Sequence, residues 1–325
     1  TPQGVVTEKV HLTYKQAWDA YNAAQMAEVK LFDELLKDLV KAIPEPEQTM
    51  GRPRLPLQET LFCAIQKVYS QLSSRRAHGL FQNATERGQI EHAPNFNQPS
   101  ILFRNPEITS ILHELVTLSA LPVAGIEVDF AVDSTGFRTT QFSAYNGVKH
   151  GQKKEHHWVK AHLCAGVKTN VVAAVAITDE NGGDSPQFGP LVKKTAEGFK
   201  INEVSADLAY SSRNNLQLVA NEGGKAYIPF KKNATGKARG SMLWSKMYHY
   251  FQLNRDDFME HYHKRSNIEA TNAAIKRKFG ETLKSKNPTA QANELLAKII
   301  AYNLTVVIHE MYKNGINPDF LHARE

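Results

Sequence analysis

The run Ile126-Glu-Val-Asp-Phe-Ala-Val-Asp133, followed by Ser134-Thr-Gly136, is where the chain changes character. Upstream the apolar spacing is helical, and Pro122 bars any further helix. From Ile126 the composition predicts a β-strand that stops in a turn, with the Asp133 carboxylate at its tip. His157 to Ala165 and Asn170 to Thr178 are Val- and Ala-rich and predict two more strands, joined by the turn Gly166-Val-Lys-Thr169. A helix follows, starting at Ser185-Pro186 or, because Gly189-Pro190 interrupts, at Pro190, and reaching about Phe199. The run Ile201-Asn-Glu-Val-Ser-Ala-Asp207 predicts a short strand with a second carboxylate at its end, leading through Leu-Ala-Tyr210-Ser-Ser212 to a helix cap. A helix over 212–222 closed by Gly223-Gly224, and a strand from Lys225 to Phe230, complete an α/β order βββαβαβ with a mixed sheet.

Outward from this block the sequence is helical. Thr13 to Ile43 carries Phe32, Leu36, Leu39 and Ile43 on one stripe and is stopped by Pro44-Glu-Pro46. The basic connector Gly51-Arg-Pro-Arg-Leu-Pro56 leads into a helix from Leu57 to about Gln71, and a second runs from Ser73 to Arg87 with Arg75, Arg76 and His78 near its start. Two short helices with cations at the head of the second fit a helix-turn-helix that enters a major groove. They fit equally a plain helical hairpin packed on the rest of the chain. A third helical piece runs from Pro106 to about Leu118. Pro288 to about Lys313 places Leu296, Ile300, Leu304, Val307 and Met311 on one stripe, as in a strut against the α/β block or part of a dimer contact.

A chain of 325 residues can bury a large core and divide into two or more domains. Lys and Arg number 39 against 33 Asp and Glu, a surplus of 6 that favours a polyanionic partner. The 2 cysteines, Cys63 and Cys164, lie in apolar surroundings and suit buried thiols in a reducing compartment. No stretch suits a membrane span or a signal peptide. Residue 1 is Thr, which leads us to expect that residues of the natural chain precede it.

Tyr262-His-Lys-Arg265-Ser-Asn-Ile-Glu269, running on to Lys276, sets a carboxylate inside a cationic helix face. Spacings of three, four and seven residues bring Tyr262, Arg265, Glu269 and Lys276 to one side of a continuous helix. A solvated face with an ordinary ion pair has the same pattern. Three carboxylates, two at strand ends and one on a facing helix, can also hold two Mg²⁺ or Mn²⁺ ions about 3.5–4 Å apart, the spacing for in-line displacement at phosphorus.

Asp133-Ser-Thr-Gly136, Ser205-Ala-Asp207-Leu-Ala-Tyr210 and Tyr262-x2-Arg265-x3-Glu269-x6-Lys276, in this order, resemble the bacterial insertion-sequence transposases of the DDE type, in the branch marked by a tyrosine-arginine-glutamate-lysine signature. The likeness extends over most of residues 56–313. It implies a ribonuclease H-like catalytic domain at 123–287 with a short insertion at 231–255, a helical N-terminal region at 1–122 with a helix-turn-helix at 56–90, and a C-terminal helix and tail at 288–325. It also implies cleavage at the ends of a mobile element and joining of the freed 3′-hydroxyls to target DNA, with Asp133, Asp207 and Glu269 holding two Mg²⁺ or Mn²⁺ ions. Tyr262, Arg265 and Lys276 would then contact phosphates beside the cut. The expected partners are double-stranded DNA, as terminal inverted repeats and target, and a second protomer on that DNA; the setting is a bacterial cytoplasm and nucleoid. A nuclease of the same fold without strand transfer, and a domesticated DNA-binding protein, are the alternatives.

Other candidates lie between these motifs. Trp244 reads either as a core anchor or as a platform for an unpaired base. Trp158, Lys160, His162 and Cys164 share one face of the second strand, which puts Lys160 or His162 near a phosphate; two ligands alone are too few for zinc. Lys149-His-Gly-Gln-Lys-Lys154-Glu-His-His157 reads as a hairpin edge with solvated charges, or as a nucleic-acid contact.

Overall fold

A computed structural model describes residues 17–48, 50–51, 54–139 and 158–320 of the chain. The segment Lys149–His157 lies outside them. Five strands form one mixed sheet: β1 Asp129–Arg138, β2 Trp158–Gly166, β3 Val172–Asp179, β4 Glu203–Ala206 and β5 Lys225–Tyr227, in the order β3-β2-β1-β4-β5. β1, β2 and β3 pair antiparallel, whereas β4 runs parallel to β1 and β5 parallel to β4. Parallel neighbours need crossovers, and helices α6 Asp184–Ala196 and α7 Arg213–Asn221 provide them.

β1 departs from the expected strand-then-turn. It runs through Ser134-Thr-Gly136 to Arg138, pairing Asp133 with Leu163 and Gly136 with Lys160. Asp133 therefore lies within the strand, one residue beyond Val132, where the parallel partner β4 ends at Ala206. The turn signal in Ser-Thr-Gly is overridden by tertiary context. A Cβ on Gly136 would lie 3.3 Å from the Trp158 ring, so glycine allows the two strands to close there. Arg138 extends the strand further by exchanging backbone hydrogen bonds with Glu281 and Leu283.

The turn between β2 and β3 is held by a buried acid. Glu127, 1% exposed, accepts from the Lys168 and Thr169 amides and the Thr169 hydroxyl. Burial pushes its pKa up, and these donors oppose the shift.

On the helical side are α1 Trp18–Lys41, α2 Leu57–Ser70, α3 Ser74–Glu86, α4 Gln98–Arg104 and α5 Glu107–Ala120. α2 and α3 fall where the spacing placed them, joined by Gln71-Leu72-Ser73 with Gln71 left-handed at φ 56°. α6 begins at Asp184, earlier than expected, and carries Pro190 inside it. Past the sheet come α8 Met242–Leu253, α9 Arg255–His263, α10 Ser266–Phe279 and α11 Pro288–Asn314.

α11 is more than a strut with one apolar stripe. It is buried on nearly every face, against α1, α2, α4 and α5, so the helices on either side of the sheet in sequence share one continuous hydrophobic core with it. Two buried asparagines fix its position. Asn303 accepts from the Val172 amide at 2.9 Å and donates to the Val172 carbonyl at 2.8 Å and to Ser119 at 3.0 Å, capping the edge strand β3. Asn293 accepts from Thr109 and donates to the Phe103 carbonyl. No described helix is long and apolar enough to cross a membrane.

Candidate active site

Pairing of Val132 with Ala206 makes Asp133 and Asp207 the next residues on two parallel neighbours. Strands so paired lie about 4.8 Å apart, which sets the two acids side by side as the chains diverge. Asp207 also caps the short 3₁₀ turn Leu208–Tyr210, its side chain accepting from the Ala209 amide at 2.8 Å. This is the strand end and cap that its sequence suggested.

Glu269 comes from the helical side. The expected single helix is broken at Lys264 and Arg265, where α9 hands over to α10. The joint stays tight because the Arg265 amide bonds to Tyr262 and the Ile268 amide to Arg265, each three residues back. Glu269 therefore sits in the first turn of α10, where the helix dipole favours an acid. Its side chain is 58% exposed, against 20% for Asp133.

Arg265 lies between the two halves. Its guanidinium is 2.5 Å from Glu269 and 3.8 Å from Asp133. Burial works against its charge, but Tyr262, Asp133 and Glu269 outweigh that and hold its pKa above the ordinary guanidinium range. Asn272, two turns beyond Arg265, donates to Asp133 at 3.5 Å. The Asp133 carboxyl is pushed up, first by burial and further by the charges of Asp207 and Glu269, while the Ser134 amide and Arg265 pull it down. The three acids do not gather as tightly as Glu59, Glu91 and His92, whose ligand atoms all lie within 4.8 Å of one another. Glu59 is committed there to capping the Glu91 and His92 amides.

A fourth acid, Asp184, was not singled out from the sequence. At the first position of α6 it lies 2.6 Å from Lys160 and 3.3 Å from His162 Nδ1, and it accepts from Ser134. Successive β1 side chains face opposite ways, so Asp133 meets α10 while Ser134 meets α6. The signal was present in Gly182-Gly-Asp184-Ser-Pro186, an acid at a helix start beside a proline. His162 is fully buried, with Nε2 2.9 Å from the Thr178 hydroxyl, and Lys160 also donates to the Gly182 carbonyl. Both side chains thus serve the Asp184 contact between the interior strand β2 and the start of α6. Tyr210, 1% exposed, packs beside Phe188, and burial together with Asp184, Asp133 and Asp207 pushes its phenol up.

The remaining candidates separate into surface and core. Arg75 and Arg76 are exposed on the first turn of α3, with Arg75 over the Phe96 ring. Lys276 lies over Phe137, its pKa lowered mainly by burial. Trp244 is 6% exposed, donates to the Thr235 carbonyl at 2.9 Å, meets Phe230 edge-on and carries Arg213 on its face. These contacts make it an anchor of the core. Cys63 and Cys164 are both buried free thiols.

Comparison with known proteins gives this geometry a family. Over 206 residues the chain is 27% identical to a protein described as a probable transposase for the insertion sequence element ISA1214 from Archaeoglobus fulgidus. That match covers 63% of this chain and 62% of the relative, so the chain spans less than two thirds of the relative's length. Residues 125–304, which hold every described strand and all three acids, match the transposase DDE domain family, whose members typically use divalent metal ions. Since the match covers more than half of its length, the chain belongs to the transposase DDE domain family.

Proposed function

We propose that the protein cuts DNA at the ends of a mobile element and joins the freed 3′-hydroxyls to target DNA, using Asp133, Asp207 and Glu269. The observation that supports this is that the adjacent ends of β1 and β4 carry Asp133 and Asp207, while Arg265 bridges from Asp133 to Glu269 in the first turn of α10. The strand order β3-β2-β1-β4-β5, with its parallel half at β1-β4-β5, supports a ribonuclease H-like topology.

The donor set fits hard divalent cations. It offers carboxylate oxygens only; burial is the main cause that raises Asp133, and the smaller contribution of the Asp207 and Glu269 charges is what a bound cation would relieve. Asp133, Asp207 and Glu269 would hold two Mg²⁺ or Mn²⁺ ions, which supply Lewis acidity to the attacking and leaving oxygens of an in-line displacement. Arg265 then exchanges its carboxylate partners for a DNA phosphate, with the Tyr262 hydroxyl and Lys276 as further donors along the signature. Asn272 steadies Asp133, and Asp184 steadies β1 from the opposite face. Arg75 and Arg76 on α3 suit backbone contacts of a helix-turn-helix, and a dimer on DNA would bring two ends together.

Cleavage of a labelled duplex carrying the element's end, in Mg²⁺, tests the reading. Asp133→Asn, Asp207→Asn and Glu269→Gln should each abolish cutting while leaving end binding largely intact. Retained cutting by any of them sinks the assignment. Incubation of pre-cut ends with target plasmid separates transposition from simple nuclease action, since only a transposase yields joined product.

A further inference from the structure

A cationic cleft of about 750 Å³ lies away from the three acids, between the α2–α3 turn, α4, and the segment that links α10 to α11. Lys67, Arg104, Lys284, Lys286 and Lys298 line it, against a single acid, Glu294. That acid is already occupied. Its two oxygens accept from the Lys284 and Ser285 amides at 2.8–3.1 Å. The cations, by contrast, are under-compensated. Arg104 and Lys286 are exposed and form no ion pair among the described residues. Lys298, 3% exposed, donates to the Gly280 and Thr282 carbonyls and lies over the Phe137 ring, and Lys284 donates to the Gln71 carbonyl. Burial lowers the pKa of both Lys67 and Lys298, the latter to about 8; the charge of Glu294 opposes both shifts and that of Lys284 adds to them.

Two helices also begin at this cleft. Ser73 and Ser74 open α3, and Asn287 opens α11, so two positive dipole ends add to the cationic field. Phe279, the last residue of α10, forms part of the wall. It lies ten positions along the helix from Glu269, about 15 Å at 1.5 Å per residue. At about 3.4 Å per phosphate along one strand, that is roughly four nucleotides.

We propose that this cleft is a second backbone site, which grips two phosphates of the DNA strand about four nucleotides from the bond cut at Asp133, Asp207 and Glu269. It rests on the function proposed above. α10 then acts as a ruler, with the cutting acid in its first turn and the grip at its far end. Phosphate is the chemistry recognised, and the occupant is the DNA backbone rather than a free anion.

Fluorescence anisotropy of a fluorescein-labelled duplex, titrated with the whole protein over a range of salt, tests this. Each phosphate contact contributes about 0.9 to the slope of log affinity against log salt. Arg104→Ala/Lys286→Ala should lower the slope by about two and weaken binding at low salt. Lys30→Ala/Lys41→Ala, which removes two exposed cations of α1, should leave it unchanged. Both cleft residues are exposed, so the variant should fold, and an unaltered melting temperature checks that. A slope equal to wild type overturns the proposal. So does inorganic phosphate raising the melting temperature of wild type but not of the variant while the duplex binds both alike, which marks a free-anion site. The function itself is tested separately: cutting by Asp133→Asn sinks the catalytic assignment, whereas the salt slopes report on the cleft alone.

Discussion

The two halves of the candidate active site are built by different means. On the sheet half, Asp133 and Asp207 are fixed by strand register, in a core where Phe130, Ala131, Val132 and Ala206 are all but fully buried. On the helical half, Glu269 is more than half exposed and restrained by one ion pair at the head of a helix. A carboxylate on a buried strand costs folding energy and cannot wander. One on a helix surface costs little and can adjust as metal and DNA arrive. The site therefore has a rigid wall and a movable one.

The largest expected effect is common to both walls. Asp133→Asn, Asp207→Asn and Glu269→Gln should each lower Mg²⁺-dependent cleavage by on the order of 10³-fold or more, since loss of a ligand removes several kcal/mol of charge stabilisation. Stability then separates the walls. Asn303→Ala strips β3 of its cap and should cost about 3 kcal/mol in urea unfolding, because Val172 loses buried hydrogen-bond partners at both its amide and its carbonyl. Asp184→Asn, which weakens the contacts of Lys160 and His162 behind β1, should cost about 1 kcal/mol.

Asp133→Asn should move the other way. Its carboxyl pKa is raised in the folded state, so wild-type stability is fully present below the pKa of the unfolded chain and is lost as pH rises through the folded value. The variant should lack that loss and unfold within about 1 kcal/mol of wild type at neutral pH, on the stable side. Glu269→Gln is the smallest change, within about 0.5 kcal/mol, as expected of an exposed pair spaced four apart. A Glu269→Gln penalty as large as that of Asn303→Ala would erase the distinction between the walls.

Much of this was legible in the sequence. All five strands and most helices overlap the stretches where periodicity and turn residues put them, though β1 starts and ends later than expected and β5 stops at Tyr227 rather than Phe230. What failed depends on neighbours distant in sequence. Ser134-Thr-Gly136 looks like a turn, yet it pairs with β2 residues some two dozen positions later. The burial of α11 on all faces follows from α1 and α5 closing around it, which no stripe within the helix reveals. At the site the acids could be ordered along the chain, but Asp184 escaped notice because its partners Lys160, His162 and Ser134 are assembled only by the sheet. His162 and Trp244 have residue types suited to DNA contact; only the fold shows them enclosed.

The tight joint at Lys264 and Arg265 carries a further consequence. Bonds reaching three residues back wind the backbone by about 120° per residue, against about 100° in an α-helix, so Tyr262 and Arg265 come nearly into eclipse. The two-residue gap in the signature is thus an angular specification as well as a count. One alanine inserted after Lys264 would leave both helices intact yet swing Tyr262 about a third of a turn away from Arg265. The amino acids would all still be there, aimed at different places.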